Sequence, residues 1–355
     1  MIRRSLMIGA ASASLAGAPG ALAQQAQPAE EQYQDEIIVT ATKREQTLQD
    51  VPVAVSVTTG ATLEQAQIRD LKDLQSVVPS LRVNQLQSSA NTNFYIRGFG
   101  NGANNAGIEP SVGLFIDGVY RSRSASMIAD FPDVQRIEVL RGPQGTLFGK
   151  NASAGVISIV TRKPQFELGG NVEASYGNYD SLVLKGMVTG PLGDTVAASI
   201  AGGFNRRDGI VKDLGSGKDT NERNRWFARG QLLFDNHDDL EVRLIADYGK
   251  IDENCCAVVN LRAAAPTAAI FALGGAVNLP AEKYDNVAYY DFPSSNKIKN
   301  WGFSGEIAYE IGFGKLTSIT AVRRTDALTN QDSDFSSADL LGRNWQDLRI
   351  KTFTQ

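Results

Sequence analysis

Two glycine-rich segments carry residues that could hold a phosphate. Gly145 to Lys150 ends in a lysine, as does the loop whose backbone amides cradle nucleotide phosphates. That loop needs four residues between its glycines and a Ser or Thr after the lysine. Only Thr146, Leu147 and Phe148 separate Gly145 from Gly149, and Asn151 comes after Lys150, so the chemistry is missing. The run Gly98-Phe99-Gly100-Asn101-Gly102-Ala103 can be aligned with a dinucleotide fingerprint. The next residues, Asn104-Asn105-Ala106-Gly107, read as a loop and not as the helix whose N-terminus would receive a pyrophosphate. Cys255 and Cys256 are adjacent, and the single histidine, His237, falls in a different candidate turn, so a metal would lack ligands. Pairing between neighbours is strained and is not the default geometry for two cysteines, so their bonding stays open, with a loop-stiffening role expected. No His, Cys, Ser or acid cluster stands at catalytic spacing. The chain reads as a protein that is not an enzyme and needs no cofactor.

Backbone architecture is what the glycines of Arg136 to Thr161 do specify. Two β-rich runs, Ile137 to Leu140 and Val156 to Val160, flank a segment punctuated by Gly142, Pro143, Gly145, Gly149 and Gly155. Glycine reaches positive φ without steric cost and proline pre-sets a turn, so this is a strand, a compact loop and a second strand.

Length and composition bound the rest. At 355 residues the chain has room for two domains, and 42% hydrophobic with 21% charged residues is ordinary for a folded protein. Beyond the N-terminus no run approaches the roughly 18 apolar residues of a membrane helix, so any membrane span must be made of strands. Arg3 and Arg4, the small and apolar run Leu6 to Ala18, and Ala21-Leu22-Ala23 form a secretory signal over residues 1–23. A buried helix is the alternative there, and it lacks a polar face. Removing residues 1–23 takes two of the 35 basic residues and none of the 39 acidic ones, leaving a net charge of −6. A mildly acidic exported chain is a poor match for nucleic acid.

Residues 51–164 read as one α/β unit. Val53, Val55 and Val57 alternate as a strand, and Leu71, Leu74 and Val78 recur at helical spacing behind Asp70, stopping at Pro79. Further strands are expected at Leu81 to Leu86, Asn93 to Arg97 and Val112 to Ile116, the last followed by the hairpin signal Asp117-Gly118. The pieces Glu138-Val139-Leu140-Arg141-Gly142-Pro143 and Gly155-Val156-Ile157-Ser158-Ile159-Val160-Thr161 resemble the signature that closes the plug domain of TonB-dependent outer-membrane receptors. Phe94-Tyr95-Ile96-Arg97-Gly98 and Gly113-Leu114-Phe115-Ile116-Asp117-Gly118-Val119-Tyr120 resemble plug motifs too, in the family's order.

From Glu167 helical periodicity gives way to alternation. Val172, Ala174 and Tyr176 begin it, and Leu182 to Val188, Val196 to Phe204, Trp226 to Phe234, Leu240 to Tyr248 and Trp301 to Tyr309 continue it. Two weaker strands lie near Leu316 to Val322 and Trp345 to Phe353. A soluble sandwich also alternates. Tight turns at Gly190 to Asp194, Asp235 to Asp239 and Gly312 to Lys315, taken in turn with longer links at Asp208 to Asn224, Ile251 to Lys299 and Asp326 to Asn344, instead match an outer-membrane barrel. Val172, Leu184, Ile200, Leu232, Leu244 and Ile307 are then lipid-facing. The expected fold is an α+β plug followed by an antiparallel transmembrane β-barrel, of which residues 165–355 supply about eight strands. A barrel that encloses a plug has about 22 strands, and eight leave no room for one. The sequence therefore reads as the N-terminal part of a receptor about twice as long, whether a truncated, non-functional product or a piece of a working one.

Residues 24–50 read as a polar tail. Within it, Asp35 to Thr42 carries Ile37-Ile38-Val39, a run suited to adding a strand to a partner's sheet, or equally to being an edge strand of the following domain. The segment is similar to the TonB box, with Glu36, Ile37, Ile38, Val39, Thr40 and Ala41 as the residues that would pair with a TonB-type inner-membrane energy transducer. The short tail leaves no place for the family's extra signalling domain, which favours a transporter over a transducer. The resemblance implies active import of a scarce solute across the outer membrane. A ferric siderophore is the expected cargo, with cobalamin or an oligosaccharide as other options and a passive porin disfavoured. It also implies that Arg97 and Arg141, with Glu138, anchor the plug to acids on barrel strands later than those in this sequence; satisfying carbonyls within the plug is the other use of those arginines. Asn101, Asn104 and Asn105 in one apical loop and Tyr120, Arg121 and Arg123 in another offer hydrogen bonds, a ring face and charge to a ligand, and are equally readable as ordinary polar loops.

Overall fold

A computed structural model describes residues 37–102, 105–127, 130 and 133–355. The signal segment, Glu36 and Asn104 lie outside the described residues. Contacts divide the chain after Ile37, and Ile38–Gln355 forms the folded unit.

The plug is built around Gly155–Thr161, an almost wholly buried strand in the middle of a five-stranded sheet. Buried on both faces, it shows a continuous apolar run rather than alternation. Val134–Arg141 runs antiparallel on one side and Val112–Ile116 parallel on the other; Val55–Thr59 and Val119–Arg121 form the two margins. Ile157 and Ile159 pack with Leu74, Leu114 and Ile137 on one face of the sheet. On the other face Val156 packs with Val39, Ala41 and Leu140. A second sheet of Leu81–Gln85, Thr92–Ile96 and Phe99–Gly100 completes the unit. Gly155 admits no side chain, because a Cβ there would meet the Leu140 carbonyl oxygen at 2.4 Å.

Local differences from the sequence reading have simple causes. The helix expected across Leu71 to Val78 shrinks to a 3-10 turn, Asp73–Ser76. Three apolar residues at helical spacing are satisfied by a single turn when the next element is a strand two residues past a proline. A helix at Gly60–Gln65 has no counterpart in the sequence reading; Thr59 caps it by accepting from the Thr62 amide at 3.3 Å. The glycine loop between the signature strands contains one helical turn, Gly145–Phe148, closed by Gly149 at φ +76°.

Residues 169–354 form one eight-stranded antiparallel sheet in which strands succeed one another in chain order: Gly169–Gly177, Ser181–Pro191, Val196–Arg207, Arg223–Asp235, Leu240–Asn254, Ser295–Glu310, Lys315–Asp332 and Arg343–Thr354. The number of strands and the face of every residue expected to meet lipid agree with the alternation. Val172, Ile200 and Leu244 are 87%, 65% and 52% exposed, while Arg229 and Arg243 on the other face are 3% exposed. Apolar outside and charged inside is the reverse of a soluble sheet and is the pattern of a wall bathed in lipid. Four-residue turns mark one rim. The long links 208–222, 255–294 and 333–342 mark the other, with the short turn at Asn178 between the first two strands as the exception. The sixth and seventh strands have 16 and 18 residues, where about 9–11 cross a bilayer, so they project past it toward the long loops. Within the longest link lie a helix, Ala265–Ala272, and a short strand, Val287–Ala288, that pairs in parallel with Lys212–Asp213.

Because the outer face meets hydrocarbon, Leu244→Arg is expected to lower the wall's stability by about 2–4 kcal/mol, the cost of a cation near the bilayer midplane. Urea titration in lipid vesicles measures it. An unchanged midpoint would show that this face is not in lipid.

Candidate functional site

Asp117 and Gly118 turn the plug hairpin with both residues at positive φ, +48° and +74°, the geometry the Asp-Gly pair favours. The turn carries Asp117 into the wall. Its carboxylate accepts hydrogen bonds from the Thr161 amide at 2.9 Å and the Thr161 hydroxyl at 3.1 Å, and from Arg229 of the fourth wall strand. Arg243 of the fifth strand reaches it at 3.5 Å and donates to the Thr161 hydroxyl at 2.8 Å. Burial would push this carboxyl up, but Arg229, Arg243 and the Thr161 hydrogen bonds outweigh that and hold it below the usual carboxylate range. Nearer the short-turn rim, Lys163 donates to Glu241 at 2.5 Å.

A second clamp forms on Asp70. This residue accepts from the Lys72 and Asp73 amides at 2.9 and 3.2 Å, ahead of the 3-10 turn, and also meets Arg223 and Arg225 of the wall, each at 3.2 Å. Arg225 is shared with Glu253, whose other oxygen accepts from the Ser89 hydroxyl at 3.3 Å. Toward the long loops, Cys255 and Cys256 are bonded to each other and buried. Gln85 of the plug donates to their sulfurs at 3.2 and 2.9 Å, and the Cys256 amide donates to the Gln87 carbonyl at 3.2 Å. The pair fastens the base of the longest link to the plug.

Of the residues expected to anchor the plug, only Glu138 makes an ion pair among the described residues. Arg97 is exposed. The Arg141 guanidinium reaches the Ala54 carbonyl at 3.5 Å, inside the plug, and neither arginine makes an ion pair among the described residues. Glu138 is fully buried and holds the amino-terminal strand: it accepts from the Thr40 amide at 2.9 Å, the Thr40 hydroxyl at 3.2 Å and Arg136 at 2.7 Å. Ile38 and Val39 pair with Thr47 and Gln46 in a two-stranded ribbon. Val39 and Ala41 are buried against Leu140 and Val156, whereas Ile37 and Ile38 remain exposed. Just after them, the Lys43 ammonium sits 4.3 Å from the Phe148 ring centre.

Two of the residues named as ligand contacts, Asn101 and Arg123, meet Glu109, which the sequence reading did not single out, and a third, Tyr120, is joined to it through Asn151. Arg123 and Lys150 pair with Glu109 at 3.0 and 3.2 Å, Asn101 donates to its carbonyl at 3.0 Å, and Asn151 bridges its carboxylate to the Tyr120 hydroxyl, both at 2.9 Å. Asn105 accepts from the Gly107 amide at 2.8 Å in the same loop. Hydrogen bonds from Asn151 and Lys150, with Arg123, draw the Glu109 carboxyl down to about 2. Arg121, next to Tyr120 on the strand and therefore on its opposite face, is buried against the wall instead. A cavity of about 290 Å³ separates the Gly60–Gln65 helix from the first three wall strands.

Comparison with known proteins agrees with this architecture. The family model "TonB-dependent Receptor Plug Domain" matches residues 47–156. An iron-regulated outer membrane virulence protein of Vibrio cholerae is 32% identical over 190 residues, which are 48% of this chain and 28% of that protein. The pesticin receptor of Yersinia pestis is 32% identical over 169 residues, 47% of this chain and 25% of that one. The vitamin B12 transporter BtuB of Vibrio vulnificus is 28% identical over 194 residues, 53% of this chain and 31% of that one. Among solved structures, the ferric yersiniabactin uptake receptor FyuA from Yersinia pestis superposes with a TM-score of 0.69 at 22% identity, over 79% of this chain and 42% of that one. The matches thus span less than a third of these curated relatives and less than half of that solved chain.

Proposed function

Because the chain belongs to the TonB-dependent outer-membrane receptor family, we propose that the protein of which it forms plug and wall imports a ferric siderophore or similar iron complex. The energy comes from a TonB-type transducer that pairs with the strand around Ile38-Val39. The observation that carries this reading is the parked amino-terminal strand: Thr40 is bound to buried Glu138 while Ile37 and Ile38 stay exposed, so an extended segment is held ready at the plug surface. A strand with an open backbone edge can join a partner's sheet. The name of the iron-regulated Vibrio cholerae relative supports iron-linked cargo, and the vitamin B12 transporter among the relatives supports cobalamin as the second reading. The cluster around Glu109 is the first place to look for ligand contacts, with Asn101, Asn105, Tyr120 and Arg123 as its members and Asn104 between them in sequence.

The test is uptake of radiolabelled iron–siderophore complexes and of labelled cobalamin by cells expressing the protein, with and without a protonophore. Iron uptake that collapses when the proton gradient is discharged is the expected result. Cobalamin uptake alone would select the second reading, and uptake indifferent to the protonophore would reveal a passive pore.

A further inference from the structure

A cavity of about 60 Å³ lies between the plug strand Val119–Arg121 and the wall. A water needs about 10–15 Å³ measured in this way, so the space holds several. Four guanidiniums line it, those of Arg121, Arg225, Arg229 and Arg323, against two carboxylates, Asp130 and Asp247. Most of these charges are already committed. Arg323 forks onto Asp247 at 2.8 and 2.5 Å, Arg225 is held by Glu253 and Asp70, and Arg229 is held by Asp117.

Arg121 is the exception. It is 5% exposed, makes no ion pair among the described residues, and its Nε has no hydrogen-bond partner. The Nε of Arg229, equally buried, is also unpartnered. A guanidinium cannot shed its charge in a protein, and Asp247, the carboxylate that acts on Arg121 most strongly, is already bound by Arg323 and Arg229. Arg225 and Arg229 have further counter-charges in Glu253, Asp70 and Asp117, and the Asp130 oxygen without a hydrogen-bond donor lies 3.6 Å from Arg225, so the charge left unmatched is that of Arg121.

We propose that this cavity is a binding site for a small monovalent anion, a halide or a formate-sized carboxylate, held between Arg121 of the plug and Arg229 of the wall. One unmatched guanidinium calls for an occupant with a single negative charge. An anion bridging a plug residue and a wall residue closes a charge gap that neither surface closes alone, so plug docking becomes dependent on the anion. The site arises from the docked geometry alone and is independent of what the protein transports.

Bromide is the probe. The purified protein in sodium bromide is expected to show an anomalous scattering peak between Arg121 and Arg229. The temperature at which the plug becomes accessible to protease should be higher in bromide or chloride than in gluconate at equal ionic strength. In Arg121→Gln that difference should vanish, and in Arg121→Lys part of it should return. A cavity filled by density without anomalous signal overturns the proposal, as does an anion dependence that survives in Arg121→Gln. Should the glutamine variant fail to fold, the bromide signal in the unaltered protein decides alone.

Discussion

Asp117→Asn is expected to free the plug from the wall by about 3–5 kcal/mol, the usual cost of removing one partner from a buried ion pair. The amide can still accept from Thr161 but leaves Arg229 and Arg243 facing each other without their shared counter-charge. Protease sensitivity of the plug in otherwise folded protein measures the loss, and Asp70→Asn, which spares this cluster, serves as the comparison. Resistance equal to the parent's would show that the turn is held by shape and not by charge. The pH dependence stems from the same geometry. A carboxyl whose folded pKa lies below its unfolded value contributes stability that is complete above the unfolded value, near 4, and is lost as pH falls through the folded one. Plug docking should therefore be flat around neutrality and weaken only in acid below the ordinary aspartate range, and in Asp117→Asn this acid-dependent part should be absent.

Ile38→Pro is expected to reduce energised uptake to the level seen with the gradient discharged. Proline removes the amide hydrogen that strand pairing needs and is tolerated only at the periphery of a sheet. Because Ile38 is 42% exposed, the plug core should survive the change, and binding of ligand to whole cells should remain near the parent's. Ile38→Ala keeps the amide and should retain most of the uptake. Equal uptake by the proline variant would remove this strand from the mechanism.

The sequence resolves the parts of the molecule whose physics is local. The signature strands, the Asp117-Gly118 turn and the eight alternating wall strands each depend on residues near one another, and each stands where the pattern places it. The clamps are illegible for the opposite reason. Asp117 meets Arg229 and Arg243 across 112 and 126 residues of chain, and no periodicity links them. Glu109 is invisible because its meaning comes from Arg123 in one loop and from Lys150 and Asn151 in another. Glu138 is visible as part of a motif, but its attachment to Thr40, 98 residues earlier, is not. The bonding of the cysteine pair stays open in the sequence because adjacency makes pairing strained without forbidding it; in the fold the two are bonded and buried beneath Gln85.

The order of the plug sheet has a mechanical consequence. The chain enters it through Val55–Thr59 at one margin, whereas the Asp117 turn that moors the plug joins the last two strands at the other. Tension applied to the tail therefore loads the unmoored margin, whose five-residue strand has a ladder on one side only. That strand can unzip while the strands beside the mooring keep their pairing. The helix directly after it, Gly60–Gln65, borders the 290 Å³ space along the wall, so once a pull has freed Thr40 from Glu138 the next strand to yield is also the one whose departure widens an existing gap. The plug sheet thus has a free margin at the tail end and a moored one at the far end, and the Asp70 clamp limits how far the loosening travels along the chain.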